Sequence, residues 1–229
     1  MKYLAALFML IDHIGMVFYP TNMIYRIIGR LAMPIFAYGI AMGFMKTSSL
    51  KKYVIRLSIF TIISQPVFAF MQYSVYKRVT GVNIGATFLI AIGCLVTICG
   101  RGLREKKVEE IVSWQKDIKD TVIRLIILSS LLVLSEILNC DYGIYGVLVV
   151  MVFYVGITIK KDNVGYLGFA IITIIYSLTS HSSIQLFSIL SIVLIPYTKN
   201  KVNYIPRYFF YIFYPLHMLV IALAKMSIL

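Results

Sequence analysis

The sequence predicts an all-α integral membrane protein, a helical bundle with about nine transmembrane helices. Of its 229 residues, 60% are hydrophobic and only 14% are charged, and the mean hydropathy is +0.89. A soluble domain carries roughly 25% charged residues, so this chain is too apolar to fold in water. The apolar stretches are long and continuous, whereas the strands of a β-barrel read as short alternating segments. Helices are therefore the expected membrane-spanning structure.

Each predicted span is an apolar run close to the roughly 20 residues that cross a bilayer core about 30 Å thick. The runs lie at 3–20, 28–45, 53–72, 84–100, 122–139, 143–159, 164–179, 183–197 and 207–226. The seventh and eighth runs are short and are joined only by Ser180–Ser182. They form either a tight hairpin or one broken re-entrant element. We expect one transmembrane domain over residues 1–229.

Basic residues predict the orientation of the chain. Of the 22 Lys and Arg residues, 17 fall at the amino terminus or in alternate loops, on one side of the predicted bundle. By the positive-inside rule this side is cytoplasmic, so the amino terminus lies inside and, with nine spans, the carboxyl terminus lies outside. The net charge of +13 therefore reflects topology, and the lipid bilayer, not nucleic acid, is the expected partner.

The longest loop, residues 101–121, predicts an amphipathic helix on the cytoplasmic surface. Its apolar residues recur at helical spacing, and it holds Trp114, the single tryptophan. Its basic end comprises Arg101, Arg104, Lys106 and Lys107. These side chains contact either lipid headgroups or a polyanionic cytosolic ligand.

Four ionisable residues are predicted to share one depth inside the bilayer. Asp12 and His13 lie about ten residues, or about 15 Å, into the first span, and His217 lies ten residues beyond Arg207. A hairpin turning around residues 20–24 brings Arg30 to the same level, where we expect Asp12 to fix either Arg30 or His217. Ionisable groups at this depth cost at least ~2.5 kcal/mol each, which makes them functional candidates.

This cluster predicts acid–base chemistry, with a histidine as general base and the arginine as the group that holds an anion or oxyanion. Three other interpretations remain open. The cluster forms structural contacts between helices, with His217 satisfying a carbonyl freed by Pro215. It forms the relay of a proton-coupled transporter. It belongs to a non-enzymatic membrane component of a transfer system.

A second polar set lies toward the outer face and is expected to bind an extracytoplasmic substrate. It comprises Asn83, Thr87, Glu136, Asp141 and Tyr142. Asp141 also fits an ordinary solvated turn position. The three cysteines lack metal-ligand spacing, so we expect no metal.

These residues stand in strings that resemble the TraX family. The strings are "LIDHIG", "RIIGRLAMPIFAYGIAMGF", "KKYVIRLSIFTIISQPVF", "NIGATF", "DYGIYGVL" and "YFFYIFYPLHML", in family order over nearly the whole chain. The resemblance implies an inner-membrane protein associated with conjugative transfer, in a family whose namesake acetylates the amino terminus of pilin. More distantly, the family is similar to multispan membrane acyltransferases that modify surface glycans.

The resemblance implies acetyl-CoA as the donor substrate and an amine or hydroxyl of a peptide or glycan as the acceptor. By position, His13 would be the general base or transient acetyl carrier, and Arg30 the donor or oxyanion partner. The basic residues Arg101, Arg104, Lys106 and Lys107 would then be the donor-binding set.

Overall fold

The computed structural model describes residues 2–99, 118–180, 182–199 and 209–228, and these residues are almost entirely helical. Their elements are α1 (Lys2–Phe18), α2 (Met23–Gly29), α3 (Ala32–Lys46), α4 (Leu50–Tyr76), α5 (Ile84–Cys99), α6 (Ile118–Ile137), α7 (Gly143–Thr158), α8 (Asp162–Thr179), a 3-10 helix (Ser183–Leu190), α9 (Ser191–Lys199) and α10 (Phe209–Ile228). The single isolated β-bridge within this part of the chain joins Val82 to Cys140. The predicted all-α fold is confirmed.

Four helical segments are long and apolar enough to cross a membrane: Met23–Lys46, Leu50–Tyr76, Asp162–Thr179 and Phe209–Ile228. Shorter apolar helices occupy Tyr3–Phe18, Ile84–Cys99, Gly143–Thr158 and Ser183–Tyr197. The predicted count of about nine spans is therefore not confirmed, because several predicted runs form helices under 18 residues. The single domain over 1–229 likewise stays a prediction.

The outer surface of the bundle is apolar. Ile62 on α4, Ile137 on α6 and Leu178 on α8 are each at least 70% exposed, and many other large aliphatic side chains share this outward orientation. A soluble monomer rarely exposes apolar surface on this scale, since water would favour its burial. The chain is a membrane protein whose apolar surface suits lipid.

The second predicted span, 28–45, is broken in the structure. Helix α2 ends at Gly29 and α3 begins at Ala32, so Arg30 and Leu31 form the joint. Pro34 causes the break, because proline lacks the N–H that would bond the Arg30 carbonyl and its ring excludes that carbonyl. Arg30 and Leu31 keep right-handed helical backbone angles, so the interruption is a kink within the segment Met23–Lys46.

Two clusters of buried side chains support the site. One surrounds α7 and includes Tyr38, Phe153 and Phe169. The other joins α1, α4 and α10 and includes Met71 and Met218. Helices α7 and α8 approach closely because Gly156 faces Gly165, where a β-carbon on Gly156 would lie 2.8 Å from the Gly165 backbone.

Candidate functional site

A cavity of about 390 Å³ lies among α1, α2, α3, α4, α10 and the α6–α7 turn. Its charged lining residues are Asp12, Arg26, Arg30, Arg78 and Asp141. Its apolar lining is rich in methionine and phenylalanine: Met9, Met16, Met33, Phe36, Phe68 and Met71. The site therefore combines a polar wall with an adaptable apolar one, which suits an organic ligand carrying charge.

His13 also lines this cavity, and behind it stands His217 from α10. The Nδ1 atom of His13 lies 2.8 Å from Nε2 of His217, and the two ring planes differ by 7°. The Nδ1 atom of His217 lies 2.7 Å from the carbonyl oxygen of Phe213. The structure thus brings together the two histidines that the sequence predicts at the same depth in the membrane. The carbonyl bonded is that of Phe213, whereas Pro215 withdraws its donor from Tyr211, four residues earlier.

Asp12 pairs with Arg26, which corrects the expectation that it would fix Arg30 or His217. The Arg26 Nη1 atom lies 3.0 Å from Asp12 Oδ1. Arg26 stands nearer the α1–α2 turn than Arg30, but its long side chain reaches inward to the carboxylate. Sequence reasoning missed Arg26, although it precedes Arg30 by four residues and so shares its helix face.

Arg30 points instead to the α6–α7 turn. Its Nη1 donates to the hydroxyl oxygen of Tyr142 at 3.3 Å, and the guanidinium carbon lies 5.9 Å from the centre of that ring. Its Nε is buried and makes no hydrogen bond within the described ranges. Arg30 therefore holds an unused donor beside the cavity.

The α6–α7 turn presents Asp141 and Tyr142 to the cavity through an unusual backbone. Tyr142 has φ +66° and Gly143 φ +42°, so two successive residues are left-handed. The Asp141 amide donates to the Val82 carbonyl at 2.8 Å, and the Thr87 hydroxyl donates to the Asp141 carbonyl at 2.5 Å. Contacts from the start of α5 thus hold this strained turn in place.

The other residues of the predicted substrate-binding set mainly make hydrogen bonds to the backbone of this region. Asn83 is fully buried, donates from Nδ2 to the Thr61 carbonyl at 2.8 Å, and accepts at Oδ1 from the Gly85 amide. Glu136 accepts from the Ile144 amide at 2.8 Å and so caps α7. Asn83 and Thr87 line neither of the two cavities that the described residues form in this region.

A second cavity, of about 340 Å³, adjoins the first and shares part of its wall. The residues that line both cavities are Phe68, Gln72, Thr80, Asp141 and Tyr142. Glu136 lines the second cavity but not the first. Asp141 lies in the turn, outside the helices, where burial raises its pKa to about 6 while Arg30 opposes the shift. Both cavities lie toward the end of the bundle where the connections α1–α2, α4–α5 and α6–α7 occur.

The predicted donor-binding residues Arg101, Arg104, Lys106 and Lys107 lie outside the described residues, as does most of the predicted loop helix at 101–121. Within the described ranges, His, Cys, Asp and Glu side chains form no group of three that would hold a metal ion. The acetyl-CoA and metal predictions stay predictions.

The fold and site define a polytopic helical membrane protein with a polar, histidine-containing cavity between its helices. The sequence profile described as "TraX protein" matches residues 1–225, so the chain belongs to the TraX family. The predicted family is confirmed.

Two curated relatives are similar to the chain. The "Probable fimbrial assembly protein FimC, serogroup H1" of Dichelobacter nodosus is 23% identical over 249 aligned positions, covering 99% of this chain and 94% of the relative. The "Uncharacterized protein RP591" of Rickettsia prowazekii (strain Madrid E) is 55% identical over 38 residues, which are 17% of this chain and only 15% of that protein. No solved structure matches the chain.

Proposed function

We propose that this protein is a membrane-embedded acetyltransferase that moves an acetyl group from cytosolic acetyl-CoA to an amine or hydroxyl of an extracytoplasmic acceptor. The observation that carries the proposal is the His13–His217 pair at a cavity that also holds Arg30. An imidazole is the side chain best suited to general base chemistry near neutral pH. Arg30 lines the cavity, and its guanidinium would supply positive charge to a developing oxyanion.

In the proposed reaction, the acceptor nitrogen or oxygen attacks the thioester carbonyl of acetyl-CoA. His13 takes the acceptor proton, Arg30 stabilises the negative charge on the carbonyl oxygen, and the C–S bond breaks as coenzyme A leaves. The proton then passes from His13 to the departing thiolate. Asp12 and Arg26 form an ion pair beside this centre and so set its local charge.

The proposed location is the bacterial inner membrane, with the amino terminus in the cytoplasm. This orientation rests on the distribution of basic residues. It places the connections around Thr80 and Asp141, and hence both cavities, toward the outer side, where an acceptor would enter. The donor would bind from inside, with Arg101, Arg104, Lys106 and Lys107 contacting its phosphates.

Membership of the TraX family, and a relative named as a fimbrial assembly protein, support a role as a membrane component of surface-appendage assembly. In this setting the acceptor is a pilin-like peptide amino terminus or a surface glycan. Such an acceptor is too large to be buried whole, but its reactive end fits a cavity of about 390 Å³.

The test is the release of free thiol from acetyl-CoA by purified, detergent-solubilised protein, with acetylated products identified by mass spectrometry. His13→Ala is expected to lower the rate by about 10²-fold or more, as loss of a general base does. Leu178→Ala is the control, because this side chain is 72% exposed on the apolar surface. Equal turnover by wild type and His13→Ala, in folded protein, would reject the proposal.

A further inference from the structure

The hydrogen bonds of the histidine pair determine where its protons lie. The Phe213 carbonyl only accepts, so His217 must carry a hydrogen on Nδ1. In neutral His217 the Nε2 atom then accepts, and the contact of 2.8 Å requires His13 to donate from Nδ1. His13 is left with a bare Nε2, which is the form of imidazole that can take a proton.

We propose that His217 is a positioning residue that holds His13 in this reactive tautomer and receives its Nδ1 proton during the reaction; this rests on the proposed acetyl transfer. The acceptor proton binds His13 Nε2 while the Nδ1 proton of His13 moves to His217 Nε2. The positive charge then rests on His217, whose Nδ1–H still donates to Phe213. When coenzyme A leaves, its thiolate takes the proton from His13 Nε2, and the other proton returns from His217 Nε2 to His13 Nδ1.

The neighbouring charges support this proton relay, the path from His13 through His217 that ends at the Phe213 carbonyl. A carboxylate commonly orients a catalytic histidine, but Asp12 is engaged by Arg26. Within the described part of the chain, the side-chain hydrogen bond of the His13 ring is made with His217, which is buried. In the Ser-His-Asp triad, loss of the correct tautomer lowers kcat by about 10⁴-fold, so a residue with this role has a large effect.

Two replacements of His217 separate positioning from packing. His217→Gln places an amide oxygen near the former Nε2, where it accepts from His13 Nδ1. His217→Asn places its amide near the former Nδ1, where it bonds the Phe213 carbonyl but does not reach His13. Both variants keep a polar, hydrogen-bonding side chain on α10.

The readout is the rate at which diethyl pyrocarbonate modifies His13 in the purified full-length protein, followed by peptide mass spectrometry. This small reagent reacts with an unprotonated imidazole nitrogen and needs neither acetyl-CoA nor an acceptor. We expect His13 to react in wild type, to react severalfold more slowly in His217→Asn, and to stay near the wild-type rate in His217→Gln. Thiol release from acetyl-CoA is expected to follow the same order.

The matched control is Thr173→Val, which removes a buried hydrogen bond between helices at a residue that lines neither cavity. Thr173 is fully buried, and its hydroxyl lies 3.1 Å from the Tyr145 hydroxyl. This variant is expected to lower the melting temperature and to leave the modification of His13 unchanged. If His217 acts only as such a packing contact, His217→Asn will behave in the same way, and the proposal is overturned.

The two proposals fail separately. Modification of His13 that depends on His217, without turnover of acetyl-CoA, supports the relay geometry and rejects the acetyltransferase. Turnover that depends on His13 but is equal in His217→Asn and His217→Gln supports the acetyltransferase and overturns the relay. An unreactive His13 in wild type also overturns the relay, because its Nε2 would then carry a proton or be covered.

Discussion

Gly29 packs directly against the Asp12 side chain at the contact between α1 and α2. A β-carbon built on Gly29 would overlap the Asp12 Cβ, Cγ and Oδ1 atoms. Gly15 faces Tyr25 in the same tight manner on this helix pair. Small residues thus let α1 and α2 approach closely enough for Arg26 to reach the carboxylate.

Gly29→Ala is therefore expected to displace Asp12 and to destabilise the protein by about 1–3 kcal/mol, the usual cost of overpacking. It should also lower acetyl transfer, because the cavity wall moves with Asp12. Thermal unfolding in detergent and thiol release measure the two effects. The control is Gly39→Ala on α3, where a β-carbon meets nothing within 4 Å. Equal melting temperatures for the two variants would contradict the close contact.

The ion pair of Asp12 predicts a specific double-mutant cycle. The Arg26 side chain is 25% exposed and the Asp12 side chain is 14% exposed. The pair is therefore intermediate between surface ion pairs, which contribute ~0–1 kcal/mol, and buried ion pairs, whose disruption costs ~3–5 kcal/mol. Arg26→Gln should therefore cost about 2 kcal/mol, and adding Asp12→Asn should restore much of it. Asp120→Asn, which removes an exposed pair with Arg124, is the control and should cost under ~1 kcal/mol. Additive losses would exclude coupling between Asp12 and Arg26.

Helix geometry made part of the site predictable from sequence. Counting 1.5 Å per residue placed His13 and His217 at one depth, and the structure brings their rings within hydrogen-bonding distance although 204 positions separate them. The same count failed for Asp12, because it locates backbone positions and ignores the reach of a long arginine side chain. The sequence therefore indicates Arg30 as a candidate partner of Asp12, whereas in the structure Arg26 pairs with Asp12.

The outer residues show why other contacts were not predictable. Thr87 and Asp141 are 54 positions apart, and only the tertiary fold shows that the hydroxyl of Thr87 holds the turn and that Thr87 lines neither cavity. The break at Arg30 was hidden because the run 28–45 is apolar throughout its length apart from this one residue. Gly29 and Pro34 signal that break through backbone chemistry, which hydropathy does not record.

The contact between Arg30 and Tyr142 predicts that Tyr142→Phe lowers acetyl transfer without loss of fold. The variant removes the hydroxyl that accepts from Arg30 but keeps the ring beneath the guanidinium. A hydrogen bond to a charged group contributes about 1.5–3 kcal/mol, so kcat/KM should fall by about 10–100-fold. Tyr197→Phe is the control, since Tyr197 is 74% exposed. Unchanged kcat/KM in Tyr142→Phe would show that this hydroxyl does not orient Arg30.

The partly buried turn position of Asp141 predicts how stability changes with pH. Burial raises its pKa from 3.8 in the unfolded chain to about 6 in the folded protein, so the folded state binds the proton more tightly. The contribution of this group is fully present below about pH 4 and is lost as pH rises through about 6, with a total near 3 kcal/mol as an order of magnitude. Asp141→Asn cannot ionise and should escape this loss.

Melting temperatures of wild type and Asp141→Asn between pH 4 and pH 8 measure the effect. The advantage of the asparagine variant should grow from pH 4 to about pH 6 and stay level above it, because Asp141 is then fully ionised in both states of the wild type. Asp162→Asn, at the start of α8 and away from both cavities, controls for the general effect of removing a carboxylate. A constant difference across this range would mean that the Asp141 carboxyl is solvated as in the unfolded chain, and the turn would then hold it at the cavity mouth in contact with water.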